Sequence, residues 1–272
     1  MKIHLVNFLG WLAFLNMGGA MAQETNVLEI SRDSSVKLTS QSGNSSGSGF
    51  LINDQYILTC FHVVAALSAQ GSAVNWNLYP DLQVTFSSGE TISATVVSVP
   101  TQADPSPVLQ DFALVKLKSK PLKNFTKLQL ATDKEALKVG DDVVFSGYPL
   151  ATPGMVTHRG MVSGFDSSAT LIFVQASINK GNSGGALLNS QGHVVGIVSM
   201  REGGISQGLQ ELSSHIDHTS SQGSVRLMGV DPLQATRAII QTLDQYISTG
   251  IGYARSIRFA REYLDKNQEL LK

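Results

Sequence analysis

The sequence predicts a mainly β protein in which short antiparallel strands form barrels or a sandwich. Glycine supplies 25 of the 272 residues, and serine, threonine and valine are common, which favours short strands and tight turns over a helical bundle. Short apolar segments separated by turn residues recur along most of the chain. Hydrophobic residues make up 42% and charged residues 15% of the chain, as in ordinary folded domains. The formal net charge of −1 gives no support to a nucleic-acid or anionic-membrane partner.

The N-terminus has the pattern of a secretory signal peptide, residues 1–22. Lys2 precedes a short apolar run over residues 5–15, and Ala20 and Ala22 are the small residues expected before a cleavage site. The run is shorter than the about 20 apolar residues that span a membrane. We therefore expect cleavage, export to the bacterial periplasm or the medium, and no membrane span in the mature chain. An uncleaved anchor is the alternative.

Two successive sets of short strands are predicted. The first lies between residue 35 and about residue 130, and the second begins near Asp141. The first comprises residues 36–38, 50–52, 56–59, 82–86, 91–99 and 112–117, and the second residues 143–145, 161–163, 171–175, 185–188 and 193–199. Residues 23–35 look like an arm without a strong pattern, and the proline-rich residues 100–109 like an exposed loop. The single cysteine, Cys60, lies in an apolar strand, so we expect a buried packing residue and no internal disulfide.

The amino-acid composition of the sequence changes after Arg201. Residues 202–230, rich in glycine, serine and glutamine, are predicted to be irregular. Asp231 and Pro232 then have the residue types of a helix N-cap and of a first helical position. A short strand over residues 251–254 and a last helix over about residues 256–270 follow. The apolar residues expected on the buried face of the helix that starts at Pro232 are Ala235, Ala238, Ile239, Leu243 and Ile247.

The strongest chemical signal is the segment G-N-S-G-G at residues 181–185, which stands before an apolar strand. A serine between glycines lies at a tight turn, because glycine permits unusual backbone angles. The N–H groups of Gly181 and Ser183 can then point at one spot and stabilise the oxyanion of an acyl-transfer intermediate. By itself the segment also fits an ordinary hairpin turn.

Two further residues supply the partners that a nucleophilic serine requires. His62 ends an apolar stretch, and an imidazole is a suitable base to take a serine proton. Asp111 stands directly before an apolar strand, where its carboxylate is costly to bury without a donor such as the ring N–H of His62. Each alone also has a structural interpretation, as a core histidine and as a strand-opening aspartate that faces water.

The order His62, Asp111, Ser183 and the setting of each residue resemble the trypsin-like serine peptidases, and within them the Deg/HtrA proteases of the bacterial envelope. The resemblance implies two antiparallel six-stranded β-barrels with the active site between them, a C-terminal helix and a partly helical insertion. The matching stretches are residues 47–50, 59–64, 111–116, 175–188, 195–199 and 251–254. The expected domains are an N-terminal barrel at 23–125, a C-terminal barrel at 126–254 with an insertion at 202–249, and a C-terminal helix at 255–272.

The resemblance also assigns roles to individual residues. His62, Asp111 and Ser183 are expected to form the catalytic triad of an endopeptidase that acts on polypeptides, and Gly181 and Ser183 its oxyanion hole. No metal or cofactor is expected, because the acyl-enzyme mechanism requires none. No acid stands at the pocket floor, so we expect a small to medium aliphatic residue at the cut site. The alternative is that Arg201 favours an acidic neighbour. The specificity pocket is expected to be lined by Ser177 and Ile178 at its floor and by Ser199, Met200 and Arg201 along one wall.

Three departures from the family pattern modify these expectations. Asn182 replaces the aspartate that pairs with a freshly cut N-terminal amine in digestive members, so we expect no activation of that kind. Because few residues follow the last helix, we expect no PDZ module of the kind that the Deg/HtrA group usually carries. The insertion at residues 202–249 flanks the pocket, and we expect it to shape or gate substrate entry. A surface embellishment, or a contact between copies in a homo-oligomer, is the alternative.

Two other functions remain open at this point. A catalytically inactive relative would bind proteins through the cleft or the insertion. An acyl hydrolase on a different fold would use the same serine, but the segment lacks the G-x-S-x-G frame within an α/β pattern. The remaining histidines show no paired spacing that indicates a zinc site: His158, His193, His215 and His218.

Overall fold

In a computed structural model of the chain, the structure describes residues 26–70, 73–99, 110–150, 152–201, 207–221, 223, 226–246 and 250–271. Over these residues the chain forms two closed barrels of six strands each. Neighbouring strands are antiparallel in both barrels. The fold class implied by the motifs is therefore confirmed. The expected signal peptide and the proline-rich loop lie outside the described residues.

Residues 26–34 form a helix, α1, so the prediction of an arm without regular structure is wrong. Val27, Ser31 and Ser34 share its buried face, at spacings of four and three residues. The hydroxyl oxygens of Ser31 and Ser146 lie 2.8 Å apart, which ties α1 to the second barrel.

The first barrel has its strands in the order β1-β2-β3-β8-β7-β6. Each of these strands overlaps a predicted one. A separate hairpin of two strands, β4 and β5, was not predicted and follows a one-turn helix, α2. The bounds are Ser35–Ser40 (β1), Ser45–Leu51 (β2), Tyr56–Thr59 (β3), Phe61–Val64 (α2), Ala65–Gln70 (β4), Ala73–Leu78 (β5), Gln83–Thr85 (β6), Thr91–Ser98 (β7) and Ala113–Leu117 (β8).

The second barrel has its strands in the order β10-β11-β14-β13-β12-β9. All six overlap predicted strands, and β11 agrees at both ends. The two barrels meet through contacts of β9 with β1 and β2. The bounds are Asp142–Gly147 (β9), Val156–Phe165 (β10), Leu171–Gln175 (β11), Ala186–Leu188 (β12), Val194–Arg201 (β13) and Ile251–Ser256 (β14).

Two helices, Gln207–Ser221 (α3) and Pro232–Tyr246 (α4), lie between β13 and β14. α3 falls in a segment predicted to be irregular, which corrects that prediction. α4 begins as expected, with the Asp231 carboxylate accepting the N–H of Leu233 at 2.9 Å. A third helix, Arg258–Lys266 (α5), and a 3-10 turn, Gln268–Leu271, follow β14.

The predicted buried face of α4 is wrong. Ile239 is 60% exposed, and Ala235 and Ala238 are exposed as well. Ile240 is buried instead, at 3% exposure, because α4 packs against α3, where Ile216 is 1% exposed. The side chains of the other two residues predicted for that face, Leu243 and Ile247, lie outside the described residues.

Apolar side chains fill both barrels and form one buried cluster. Strand β7 shows the alternation expected of a half-buried strand, with Ile92 and Ala94 buried and Thr91 and Thr95 exposed. Cys60 is 0% exposed within the cluster, so its expected packing role is confirmed. Among the described helices, none is both long and apolar enough to cross a bilayer.

Candidate active site

Ser183 lies in a tight turn directly before β12. Gly181 and Gly184 flank it with φ values of +97° and +93°, which L side chains rarely adopt. A Cβ on Gly184 would lie 2.0 Å from the carbonyl oxygen of Ser48, and one on Gly181 would lie 2.2 Å from that of Tyr148. Both conformation and space therefore require glycine at these two positions.

His62 and Asp111 form a hydrogen-bonded pair. His62 lies on α2 just after β3, and Asp111 lies just before β8; these two strands are paired, so the two residues meet. The ring Nδ1 of His62 lies 3.0 Å from each carboxylate oxygen of Asp111, and the His62 backbone N–H donates to Oδ1 at 3.3 Å. Asp111 is 5% exposed, whereas the His62 side chain is 39% exposed. The ring therefore joins a buried carboxylate to solvent.

Ser199 connects this pair with Ser183. Its hydroxyl donates to Oδ2 of Asp111, and its backbone carbonyl accepts the hydroxyl of Ser183 at 2.9 Å. That carbonyl is available because β13 shifts its register against β14 between Val198 and Met200. The Ser183 hydroxyl is thus donated to Ser199 and not to His62. A change of rotamer at Ser183 would redirect this hydroxyl away from Ser199.

The pairing sets the protonation of both partners. Burial is the largest influence on His62 and lowers the pKa of its ring, but the hydrogen bond and charge of Asp111 outweigh it, so the pKa is raised above 6.5. Burial likewise raises the pKa of Asp111, but donation by His62 and Ser199 outweighs it and holds the pKa below 3.8. At neutral pH Asp111 is therefore ionised and can keep the His62 ring oriented as a base.

The backbone N–H groups of Gly181 and Ser183 have no acceptor within the described part of the chain. Each of these N–H groups shares a peptide plane with the carbonyl of the preceding residue, and both carbonyls are hydrogen-bonded. The Lys180 carbonyl accepts a backbone N–H at 2.9 Å, and the Asn182 carbonyl accepts a backbone N–H at 3.0 Å. Because C=O and N–H point in opposite directions across a trans peptide, these bonds orient both N–H groups. The turn can therefore offer two donors to one ligand oxygen.

The pocket residues are only partly described. Ser177 is exposed, whereas Ile178 is 2% exposed and packs on Gly252, where an added Cβ would lie 2.4 Å from its Cδ1. Ser199 is 3% exposed, and its hydroxyl is taken up by Asp111, a contact that no sequence pattern indicated. The side chains of Met200 and Arg201 lie outside the described residues. The composition of the pocket therefore stays a prediction.

Cys60 lies close to the His62–Asp111 pair. Its Sγ, a ring nitrogen of His62 and a carboxylate oxygen of Asp111 lie within 4.8 Å of one another, an arrangement that can hold a metal ion. However, burial, with the Asp111 charge as the next cause, raises the pKa of the thiol well above 9.0, and Sγ donates to the carbonyl of Val198 at 3.2 Å. Metals bind the thiolate, so a protonated Cys60 makes this a poor metal site.

Two of the other histidines, His193 and His158, have structural contacts. His193 Nδ1 pairs with Glu135, and this hydrogen bond lowers the pKa of Glu135 to about 2. His158 stacks on Phe145 with ring centroids 4.8 Å apart. His215 is exposed on α3. Apart from the cluster around Cys60, no group of three such ligands is arranged for a metal within the described ranges.

The strand order, the turn and the pair just described agree with a known family. A family model described as a trypsin-like peptidase domain matches residues 47–197, more than half of the chain, and the range includes His62, Asp111 and Ser183. The chain belongs to the trypsin-like peptidases. This trypsin-like peptidase is 36% identical over 160 residues to the periplasmic serine endoprotease DegP of Salmonella typhimurium, a match that covers 56% of this chain and 29% of that protein.

A further relative confirms the resemblance of this trypsin-like peptidase to the Deg/HtrA group, and a solved structure confirms the fold. It is 30% identical over 205 residues to the serine protease Do-like HtrA of Bacillus subtilis, which covers 70% of this chain and 40% of that protein. The crystal structure of a serine endoprotease from Yersinia pestis has the same fold, with a TM-score of 0.58 and 21% identity over 89% of this chain and 65% of that one. The chain spans less than half the length of the curated relatives it matches.

Proposed function

We propose that the chain is a serine endopeptidase that hydrolyses polypeptides through Ser183, His62 and Asp111. The observation that carries the proposal is the hydrogen-bonded cluster at the turn. His62 Nδ1 bonds the buried carboxylate of Asp111, and Ser183 is linked to the same carboxylate through Ser199. The relatives from Salmonella typhimurium and Bacillus subtilis, both named serine proteases, support this reaction class.

In this mechanism the Ser183 Oγ attacks the peptide carbonyl carbon while His62 takes the hydroxyl proton. Asp111 accepts a hydrogen bond from the Nδ1–H group of His62, which leaves Nε2 free to act as the base, and its charge stabilises the imidazolium that forms. The N–H groups of Gly181 and Ser183 donate to the oxyanion of the tetrahedral intermediate. His62 then gives its proton to the leaving amine, and water hydrolyses the acyl-enzyme with the same residues in the same roles.

The proposed setting is the cell envelope or the medium. The signal-peptide pattern of residues 1–22 supports export, as does the periplasmic location in the name of the Salmonella typhimurium relative. The proposed mature chain has a first barrel at 23–125, a second at 126–254 and a C-terminal helix at 255–272. Its substrates would be exposed or unfolded polypeptides at that location.

The proposal is tested with casein or a fluorogenic peptide as substrate. Ser183→Ala should lower turnover on the order of a millionfold, because the nucleophile is lost. Ser190→Ala is the matched control, since Ser190 is an exposed serine of the same barrel, and it should keep full activity. Equal turnover by wild type and Ser183→Ala would contradict the proposal. A folded but inactive wild type would favour a protein-binding role instead.

A further inference from the structure

Ser48, on β2 of the first barrel, reaches the Ser183 turn of the second. Its backbone N–H donates to the carbonyl of Ser183 at 2.7 Å, and its hydroxyl donates to the carbonyl of Gly181, also at 2.7 Å. The hydroxyl oxygen accepts the backbone N–H of Tyr148 at 2.9 Å, and the Ser48 carbonyl accepts the hydroxyl of Thr59 at 2.6 Å. Ser48 is 0% exposed, so water does not compete for these bonds.

The two carbonyls held by Ser48 lie next to the two candidate oxyanion donors. The N–H of Gly181 and that of Ser183 belong to the peptide planes before these residues, and the carbonyls belong to the planes after them. Ser48 therefore fixes the peptide plane that follows Gly181 and the one that follows Ser183, while other hydrogen bonds fix the peptide plane that precedes each residue. Gly181, at φ +97°, can change conformation easily, so the turn depends on such anchors to hold both N–H groups in place.

We propose that Ser48 is a positioning residue for the oxyanion hole and acts across the barrel boundary by holding the carbonyls of Gly181 and Ser183. This inference rests on the proposed peptidase function and adds a residue to its machinery. Donors fixed before the reaction cost no reorganisation when the oxyanion forms. Loss of the anchor should therefore slow the chemical step and leave substrate binding nearly unchanged.

The space around Ser48 limits which side chains can replace it. Ser48 is fully buried, and Gly147 lies against its hydroxyl, since a Cβ added to Gly147 would lie 2.9 Å from the Ser48 Oγ. Alanine fits, but leaves the carbonyl of Gly181 and the N–H of Tyr148 without this partner. Cysteine nearly keeps the volume but supplies only a weak donor and acceptor. The two substitutions therefore separate the hydrogen bonds from the packing.

The test is steady-state peptide hydrolysis by Ser48→Ala, expressed per folded molecule from far-UV circular dichroism. We expect kcat to fall about 10- to 100-fold, less than the about 10²- to 10³-fold loss of a whole oxyanion donor, with KM changed less than about twofold. A peptide aldehyde, whose hemiacetal oxygen occupies the oxyanion site, should bind more weakly by a similar factor. The acid limb of the pH profile should not move, because the His62–Asp111 pair is untouched.

Ser35→Ala is the matched control. Ser35 is a buried serine of the same barrel whose hydroxyl donates to the carbonyl of Ser31 at 2.7 Å, so its loss costs stability but should leave kcat and aldehyde binding unchanged. If Ser48→Ala does not fold, Ser48→Cys decides. A folded Ser48 variant with wild-type kcat and aldehyde affinity, in an active wild-type background, would overturn the inference. An inactive wild type would contradict the proposed function instead.

Discussion

Asp111 has a backbone conformation that few residues other than glycine adopt, with φ at +43°. This conformation costs an L residue about 1–2 kcal/mol. Its carboxylate accepts the ring and backbone N–H of His62 and the hydroxyl of Ser199, and these bonds offset the cost. The next residue, Phe112, is 1% exposed and packs edge-on against Tyr263 of α5, with ring centroids 5.5 Å apart. The carboxylate is thus positioned before any substrate binds.

The first residue-scale prediction is the pH dependence. Because Asp111 raises the pKa of His62 above 6.5, kcat/KM should fall as the pH drops through that raised value, where the ring can no longer accept a proton. Asp111→Asn should move this limb to lower pH and reduce kcat by about 10⁴-fold, as in comparable triads. An acid limb that stays in place in Asp111→Asn would contradict the assignment.

The same pairing has the opposite effect on stability. A group whose pKa is raised in the folded state contributes stability that is fully present below its unfolded pKa. For His62 the contribution is complete below pH 6.5 and is lost as the pH rises through the raised pKa. Activity and this part of the folding free energy therefore change in opposite directions over the same pH window.

The second residue-scale prediction concerns Gly184. Gly184→Ala should destabilise the fold and abolish activity, because an added Cβ would lie 2.0 Å from the Ser48 carbonyl oxygen and 2.3 Å from Thr59 Oγ1. Gly89→Ala is the control: it has a similar φ of +86°, but nothing lies within 4 Å of the added Cβ. Urea unfolding should show about 1–2 kcal/mol of loss for Gly89→Ala and a larger loss for Gly184→Ala. Equal losses would show that crowding at Gly184 is unimportant.

The residues of the candidate site differ in how far the sequence indicated them. His62, Asp111 and Ser183 were predictable because each opens or closes an apolar strand in a recognisable motif. The contact of Ser199 with Asp111 was not, because Ser199 lies within a strand and its role appears only when the barrels pack. Ser48 belongs to a matching motif, but its hydrogen bonds reach a turn 133 positions along the chain, which local patterns do not reveal.

Among the elements, α1 and α3 escaped prediction for the same reason. α1 buries Ser31 and Ser34 beside a single valine, and Ile216 is the buried residue among the described side chains of α3. Each helix has only three apolar residues, Val27, Leu28 and Ile30 in α1 and Leu209, Leu212 and Ile216 in α3, which is a weak signal for an amphipathic helix. The strands were predictable because tight turns separate their apolar residues. The prediction of the buried face of α4 was wrong because α4 packs against α3, another helix of the insertion, and not against a barrel.

The element-scale prediction concerns the insertion. α3 and α4 pack together through Ile216 and Ile240, and Arg237 pairs with Asp217 at 2.8 Å, but neither isoleucine belongs to the barrel core. Replacing residues 205–245 by a short glycine-serine linker should therefore leave the barrels folded, with a shift in Tm of only a few degrees. Peptide selectivity should change, because the insertion leaves from β13, the strand that holds Ser199.

Thermal unfolding and a set of fluorogenic peptides with varied residues at the cut site would measure both effects. An intact fold with unchanged selectivity would rule out gating by the insertion. In that case the exposed turn between α3 and α4 would be the next feature to test, by comparing the oligomeric state of both chains. Its apolar residues are 63%, 106% and 58% exposed: Leu227, Met228 and Val230.

At the scale of the whole molecule, the candidate site depends on both barrels. His62, Asp111 and Ser48 come from the first, and Ser183 and Ser199 come from the second. Neither barrel alone contains the imidazole, the carboxylate and the hydroxyl of the candidate site. The order of His62, Asp111 and Ser183 along the chain therefore indicated the site, whereas their spacing did not. The sequence did not predict how the two barrels pack together.

The whole-molecule prediction concerns the N-terminus. Asn182 is 0% exposed, and neither its Oδ1 nor its Nδ2 has a partner within the described residues. A neutral amide cannot form an ion pair with a chain-terminal amine, so chains trimmed or extended before Thr25 should have equal kcat/KM. Removal of α1 should instead lower Tm, because the Ser31–Ser146 contact is lost. A strict requirement for one free N-terminus would contradict this view.

The Ser183 hydroxyl donates to the carbonyl of Ser199, and this hydrogen bond bears on when the protein could cleave other proteins. The resemblance of residues 195–199 to a strand beside a bound substrate predicts that the polypeptide to be cut would lie along β13. An extended polypeptide bound along β13 would donate one of its own N–H groups to the Ser199 carbonyl. The Ser183 hydroxyl would then be displaced toward His62. Binding of the substrate would thus release the Ser183 hydroxyl, and a molecule without substrate would stay inactive without any separate inhibitor.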